Sequence, residues 1–378
     1  MEKKRVLFTA TVVKQHIMTF HVPYLRMFQE MGWETAVAAG NDYEDPSELN
    51  IPHCDTYYEI PFERIPWKAG NLRAYRLLKK LIDEGNFDII HCHTPVGAMI
   101  TRLAARDARK RGTKVIYTAH GFHFHKGSSP VSWLAYYPVE RFLAPLTDVL
   151  LTMNREDYAL AREKMKARRV EYVPGVGIDT RRFASITLDR QEKRRELGFE
   201  EADFLLLTVA EMNKNKNQSM VLKAMAQLKE KPEFARMKYL ICGMGGYEAV
   251  LRQEAKDLGI EEHVYFMGYR KDIPAIYRAS DLFAFMSYRE GLPVALMEAM
   301  SSGMPTVCTA ARGNTDLIEN GKEGLIVENA PQPLAEAILK LYHDPRLRNQ
   351  FGLAAAEKVK QFDQENVHRI MREIYLSV

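Results

Sequence analysis

The 378-residue sequence predicts an α/β protein built from two doubly wound, Rossmann-like domains. Three observations lead there. Short apolar runs alternate with amphipathic stretches of helical period, the pattern of parallel sheets joined by right-handed crossovers. The alternation lapses over the polar stretch TRRFASITLDRQEKRR (180–195) and then restarts. The length also exceeds what one ordinary core serves and suits two.

In chain order, RVLFTATVV (5–13) reads as a strand, HVPYLRMFQEMG (21–32) as a helix closed by Gly32, and WETAVAAG (33–40) as the next strand. A helix over 70–84, the strand FDIIHCH (87–93), a helix over 96–111 and the strand TKVIYTAHG (113–121) follow. A helix over 131–146 and the strand DVLLTM (148–153) end the first series. The second opens with DFLLLTVA (203–210) and a helix from Gln218 to Lys229. MKYLICGMGG (237–246) gives a strand and a glycine turn before a helix from Tyr247 to Leu258. HVYFMG (263–268), DLFAFMS (281–287), PTVCTA (305–310) and GLIVEN (324–329) supply the remaining strands. The domains are assigned to 1–183 and 184–362, with a C-terminal helix at about 363–378 expected to pack back on the first.

Composition excludes several classes. Hydrophobic content of 46% and charged content of 27% are those of an ordinary globular enzyme. No apolar run approaches the ~20 residues that span a bilayer. MEKKRVLFTATVV resembles the start of a signal peptide, but Lys14 and His16 close the run early, so it reads as a first strand. Cys54, Cys92, Cys242 and Cys308 are isolated, without CxxC or zinc spacing, which fits a reducing cytoplasm. Residues 1–183 carry 27 Lys and Arg against 21 Asp and Glu, and the remaining residues 26 against 28. The excess lies in RAYRLLKKL (73–81), RLAARDARKRGTK (102–114) and AREKMKARR (161–169). Each run alone reads as a solvated helix face; together they suggest a peripheral location at the inner, anionic face of the cell membrane. Nucleic acid is not expected, because no recognition motif accompanies them.

The stretch EGLPVALME (290–298) carries the most chemistry. Glu290 follows a strand, Leu292 and Pro293 are expected to open a helix, and Glu298 lies about two turns on, rotated by roughly 80°. Between the carboxylates lie the free N–H groups of a first helical turn at Gly291 and Leu292, a ready anion site. A diphosphate on those groups, with carboxylates accepting from sugar hydroxyls on either side, describes a nucleotide-sugar site. In AEMNKNKNQ (210–218), between a strand and a helix, Lys214 and Lys216 can neutralise phosphates and Asn213 can donate to oxygens. CGMGG places Gly243 and Gly245 after a strand, and Tyr269 follows another strand; all three are taken as donor contacts. TAHGFHFH (118–125) ends a strand and presents His120 and His123. No metal is expected: His123 and His125 have no carboxylate or thiolate nearby in sequence, and no Asp-x-Asp pair exists to bridge a diphosphate through magnesium. GxGxxG, Gly-x-Ser-x-Gly and Walker patterns are likewise missing, so no cofactor is expected.

Taken together these residues resemble a family 4 glycosyltransferase of the GT-B fold, in which two Rossmann-like domains face each other across a cleft. The resemblance covers nearly the whole chain and is strongest in YREGLPVALMEAMSSGMPTV (288–307), the Glu-x7-Glu region. It implies that Glu290 contacts the donor sugar, Glu298 the nucleotide ribose, Lys216 the diphosphate, and His120 the region of sugar and acceptor. It also implies retention of anomeric configuration, an acceptor-binding first domain and a nucleotide-sugar-binding second one. HCHTPVGAMITRLAARDARKRGTKVIYTAHGFHF (91–124) resembles the branch that builds capsular and exopolysaccharide units on polyprenyl-diphosphate carriers. The expected partners are therefore a UDP-sugar donor and a polyprenyl-diphosphate-linked or glycan acceptor. Two departures stand out. Glu211 occupies a position where many members carry arginine, leaving Lys214 as the candidate replacement. KQHIMTFH (14–21) replaces the usual Gly-Gly turn, making His16 and His21, with His123, candidate acceptor-side contacts. The alternatives are an epimerase of the same architecture and a non-catalytic nucleotide-sugar-binding subunit.

Overall fold

The computed structural model describes residues 3–378. They form two compact units: one runs to Val176 and regains Val367–Val378, and the other is Gly177–Asn366. The division falls slightly earlier than the polar stretch suggests.

The first unit holds seven parallel strands, β1 (Arg5–Val12), β2 (Glu34–Gly40), β3 (Thr56–Glu59), β4 (Ile89–Cys92), β5 (Lys114–Ala119), β6 (Val149–Thr152) and β7 (Arg169–Tyr172). Their order is β3-β2-β1-β4-β5-β6-β7. Strand alternation sends successive side chains to opposite faces. Leu7 accordingly joins Leu78, Ile90 and Ala104 on one side, while Val6 and Phe8 join Leu25, Phe28 and Ile89 on the other. The C-terminal helix Gln364–Leu376 belongs to that second layer, burying Val367, Met371, Ile374 and Tyr375 there.

The second unit holds six parallel strands, β8 (Phe204–Val209), β9 (Met237–Cys242), β10 (Val264–Gly268), β11 (Leu282–Phe285), β12 (Thr306–Thr309) and β13 (Gly324–Val327). Their order is β10-β9-β8-β11-β12-β13. Each sheet thus reverses direction once, between β1 and β4 and between β8 and β11. In such sheets ligands gather in the crevice outside the carboxyl ends at that switch point.

Sequence reading missed β3 and β7, the short outer strands of the first sheet. Their sequences TYYE and RVEY lack an apolar run and are mostly half-buried. The helix read over 131–146 is Pro130–Leu143 followed by a tighter turn. No helix among the described residues is long and apolar enough to cross a membrane.

Candidate active site

In the second unit, the loops after β9, β8 and β11, neighbours in the sheet, lock into one bed. Met212 N–H donates to Met244 O at 3.0 Å, and Tyr247 N–H to Met212 O at 3.2 Å. Gly243 and Gly245 permit this approach. A Cβ on Gly243, whose φ is +141°, would lie 2.0 Å from Ala210 O, and one on Gly245 2.2 Å from Met212 O. On the other side Tyr288 N–H donates to Asn215 O at 2.9 Å, and Asn215 Nδ2 to Arg289 O at 2.9 Å. Asn217, itself at φ +54°, donates to Met286 O at 3.2 Å.

This stitching delivers Lys216 to Glu290, Nζ to Oε1 at 2.7 Å, with the carboxylate only 9% exposed. Asn213 Oδ1 accepts from Lys216 N–H at 3.0 Å, while its Nδ2 donates to Glu211. Lys214 is exposed on the same loop, and Tyr269 is 72% exposed beyond β10. The helix expected to open at Leu292–Pro293 begins later: it is Val294–Ser301, and Pro293 is its extended N-cap. Proline supplies no side-chain acceptor, so no side chain caps the first-turn N–H groups. An uncapped helix start therefore sits immediately after the Lys216–Glu290 pair, and Gly291 and Leu292 form the approach to it.

Glu298, on the flank of that helix, accepts from Tyr277 O–H at 3.2 Å. Burial raises its pKa to about 7, against the opposing influence of the Tyr277 hydrogen bond and the Arg182 charge.

Sequence reading overlooked Arg312. Its Nε donates to Glu290 O at 2.9 Å from a position 7% exposed, and the next residue, Gly313, packs so closely that a Cβ would meet Gly291 O at 2.2 Å. The helix Arg312–Leu317 thus braces the glutamate loop. A cation just beyond the end of the strand run PTVCTA was the available signal.

In the first unit, His16 lies in a π-helical turn after β1, His21 precedes the helix Val22–Glu30, and His120 follows β5. The fold brings these three together with His93, which follows β4 and which sequence reading did not single out. The signal was HCH, since residues i and i+2 of a strand share a face. One ring nitrogen from each of the four lies within 4.8 Å of the others. His21 and His93 stack with centroids 3.7 Å apart, and the His16 and His120 centroids are 4.8 Å apart. Nδ1 and Nε2 of both His21 and His93, and Nε2 of His16 and His120, are buried without a hydrogen-bond partner. Each such group forfeits about 1–3 kcal/mol. Burial drives the His16 pKa down to about 4, and burial with repulsion between the rings drives those of His21, His93 and His120 well below the usual value. His91, in contrast, is satisfied twice, by Tyr375 O–H at 2.8 Å and Thr118 Oγ1 at 2.7 Å. His123 is not among the four; its ring stacks on Tyr136 at 4.6 Å.

The basic run 102–114 does not form a uniformly solvated face. Arg102 is 1% exposed and pairs with Glu140 at 2.9 Å, and Arg109 pairs with Asp148 at 2.9 Å. The helix Pro130–Leu143 instead turns apolar residues outward: Val131, Leu134 and Phe142 are 74%, 80% and 71% exposed.

Sequence comparison identifies the family that carries these two doubly wound sheets. Residues 23–175 match the glycosyl transferase 4-like domain, and residues 189–358 match glycosyl transferases group 1. The chain is 39% identical over 98% of its length, and 96% of the relative's, to EpsD of Bacillus subtilis (strain 168), which is named as a glycosyltransferase. It is 29% identical, over 68% of its length and 67% of the relative's, to the Escherichia coli UDP-Gal:α-D-GlcNAc-diphosphoundecaprenol α-1,3-galactosyltransferase. The crystal structure of Anabaena Alr3699/HepE in complex with UDP and glucose shares the fold, with a TM-score of 0.80 at 20% identity over 99% of this chain and 100% of that one. The protein belongs to the family 4 glycosyltransferases of the GT-B fold.

Proposed function

We propose that this glycosyltransferase moves a sugar, with retention of configuration, from a UDP-sugar to a polyprenyl-diphosphate-linked or glycan acceptor in cell-surface polysaccharide synthesis. The observation that carries the reading is the Lys216–Glu290 pair at 2.7 Å beside an uncapped helix start. The E. coli relative, whose name specifies a UDP-Gal donor and a diphosphoundecaprenol acceptor, supports the substrate classes, and EpsD supports the family branch.

In this reading the diphosphate takes the Lys216 ammonium and the N–H groups around Val294. As the bond to the sugar breaks, negative charge grows on the leaving diphosphate and is met by groups already in place. Glu290, relieved of part of its lysine contact, accepts from sugar hydroxyls, and Glu298 accepts from the ribose. Asn213, Lys214, Gly243, Gly245 and Tyr269 line the donor bed. His120, with His16, His21 and His123, belongs to the acceptor side. The leaving group needs no magnesium because lysine and helix N–H groups replace it. The exposed apolar side chains of Pro130–Leu143 support peripheral attachment to an anionic membrane.

A calorimetric screen of nucleotide diphosphates and their sugars, followed by product analysis with and without a polyprenyl-diphosphate acceptor, tests the assignment. UDP binding and acceptor-dependent UDP release, unchanged by added Mg2+, are expected. Conversion of the donor without acceptor would make the protein an epimerase, and binding without turnover a non-catalytic subunit.

A further inference from the structure

We propose that His16, His21, His93 and His120 form a binding site for one divalent transition-metal ion of the zinc class. Three features of the site converge on this. The first is the donor set. Four imidazoles from three strand-following segments present ring nitrogens within 4.8 Å of one another, and six nitrogens of these rings are buried without a partner. His91, beside them, has both nitrogens bonded, so the orphaned state belongs to these four rings and not to histidines of the neighbourhood generally. Neutral imidazole is the ligand that zinc, copper and nickel share.

The second feature is position. His16 follows β1, His93 follows β4 and His120 follows β5, three adjacent strands, so the group stands at the carboxyl ends across the switch point of the first sheet. The third is shape. Zinc–nitrogen bonds of about 2.0–2.1 Å place tetrahedral ligand atoms roughly 3.3 Å apart, so the widest pair must close by about 1.5 Å. A small cavity of about 20 Å³, walled by His21, His93, Tyr24, Thr118 and Met371, lies against the two innermost rings. His21 and His93 are 2% and 1% exposed, whereas His16 and His120 are half-buried, so the group is closed at the back and open in front. Four imidazoles fill a tetrahedral shell, which is the layout of a closed site.

The site goes beyond the glycosyl-transfer reading, which uses His120 through its ring and asks for no ion at the diphosphate. Metal binding is measured without substrate, so either reading can fail alone. The untagged full chain, stripped by chelator and dialysed, is titrated with Zn2+ by calorimetry and with Co2+ by absorbance. One equivalent of Zn2+ is expected, with a raised Tm, since an ion bound to the native state stabilises it. Co2+ is expected to give the intense visible bands of low-coordinate geometry. The double substitution His16→Asn/His120→Asn, at the two half-buried positions, weakens binding at least about 100-fold, beyond what loss of an outer-shell partner costs. His53→Asn/His343→Asn, at exposed histidines, leaves it unchanged. Absence of stoichiometric binding by the wild-type chain overturns the proposal. So does undiminished binding by the His16/His120 variant.

Discussion

Glu298 shows how one side chain couples stability to pH. Its pKa in the folded protein is about 7, against 4.5 for an ordinary glutamate. Between those values the folded state keeps a proton that the unfolded chain has released, so this group's contribution to stability falls as pH rises from 4.5 to 7 and is flat above. At pH 8 the penalty is of order 3 kcal/mol. Glu298→Gln therefore raises Tm at pH 8 and changes it little at pH 5; equal effects at both values in scanning calorimetry would show that the buried carboxyl is not strained. In the proposed reading, ribose hydroxyls that donate to the carboxylate would offset the same penalty. Glu298→Ala should weaken UDP binding by about 1.5–3 kcal/mol, the range for hydrogen bonds to charged groups. Unchanged affinity in a folded variant would detach Glu298 from the nucleotide. The Glu290–Glu298 spacing was legible because glycine and proline punctuate a strand-to-helix turn there. Arg312 was not, because its partner is the backbone of Glu290, twenty-two residues earlier, and backbone partners leave no mark in sequence.

Among the elements, the inner strands announced themselves as apolar runs buried on both faces, whereas the outer β3 and β7, half-covered, did not. The helix Pro130–Leu143 was ambiguous for a related reason. Its composition is apolar enough for a core helix, and only the fold reveals that Trp133 and Tyr137 pack inward while Val131, Leu134 and Phe142 face out. Outward apolar side chains cost little to replace in water and much to lose at a bilayer surface. Leu134→Asp/Phe142→Asp should leave Tm unchanged and abolish flotation with anionic vesicles. Because Arg102 and Arg109 are already paired internally, part of the wild-type binding should survive about 0.5 M salt, where surface charge attraction is screened. Equal flotation of wild type and variant would remove this helix from the membrane contact.

At the scale of the whole molecule, His16, His21 and His120 were each candidates in sequence, but their convergence with His93 was not legible: the four rings come from three segments that meet only once β1, β4 and β5 are adjacent. The same topology makes the first unit discontinuous. Its second core layer is completed by Val367, Met371, Ile374 and Tyr375, each 0 to 7% exposed, and Tyr375 also satisfies His91. Each such side chain stabilises by about 1.5–3 kcal/mol on burial, so together they approach the ~5–15 kcal/mol that holds a typical domain. The second unit is a single stretch, Gly177–Asn366, and contains every donor-side residue named above. Deleting 367–378 should therefore unfold the first unit alone. In calorimetry the shortened chain should keep one cooperative transition, shifted upward by UDP, and should lose transfer activity. Survival of both transitions would show that the returning helix is dispensable, and loss of the UDP-responsive one would show that the nucleotide half does not stand by itself.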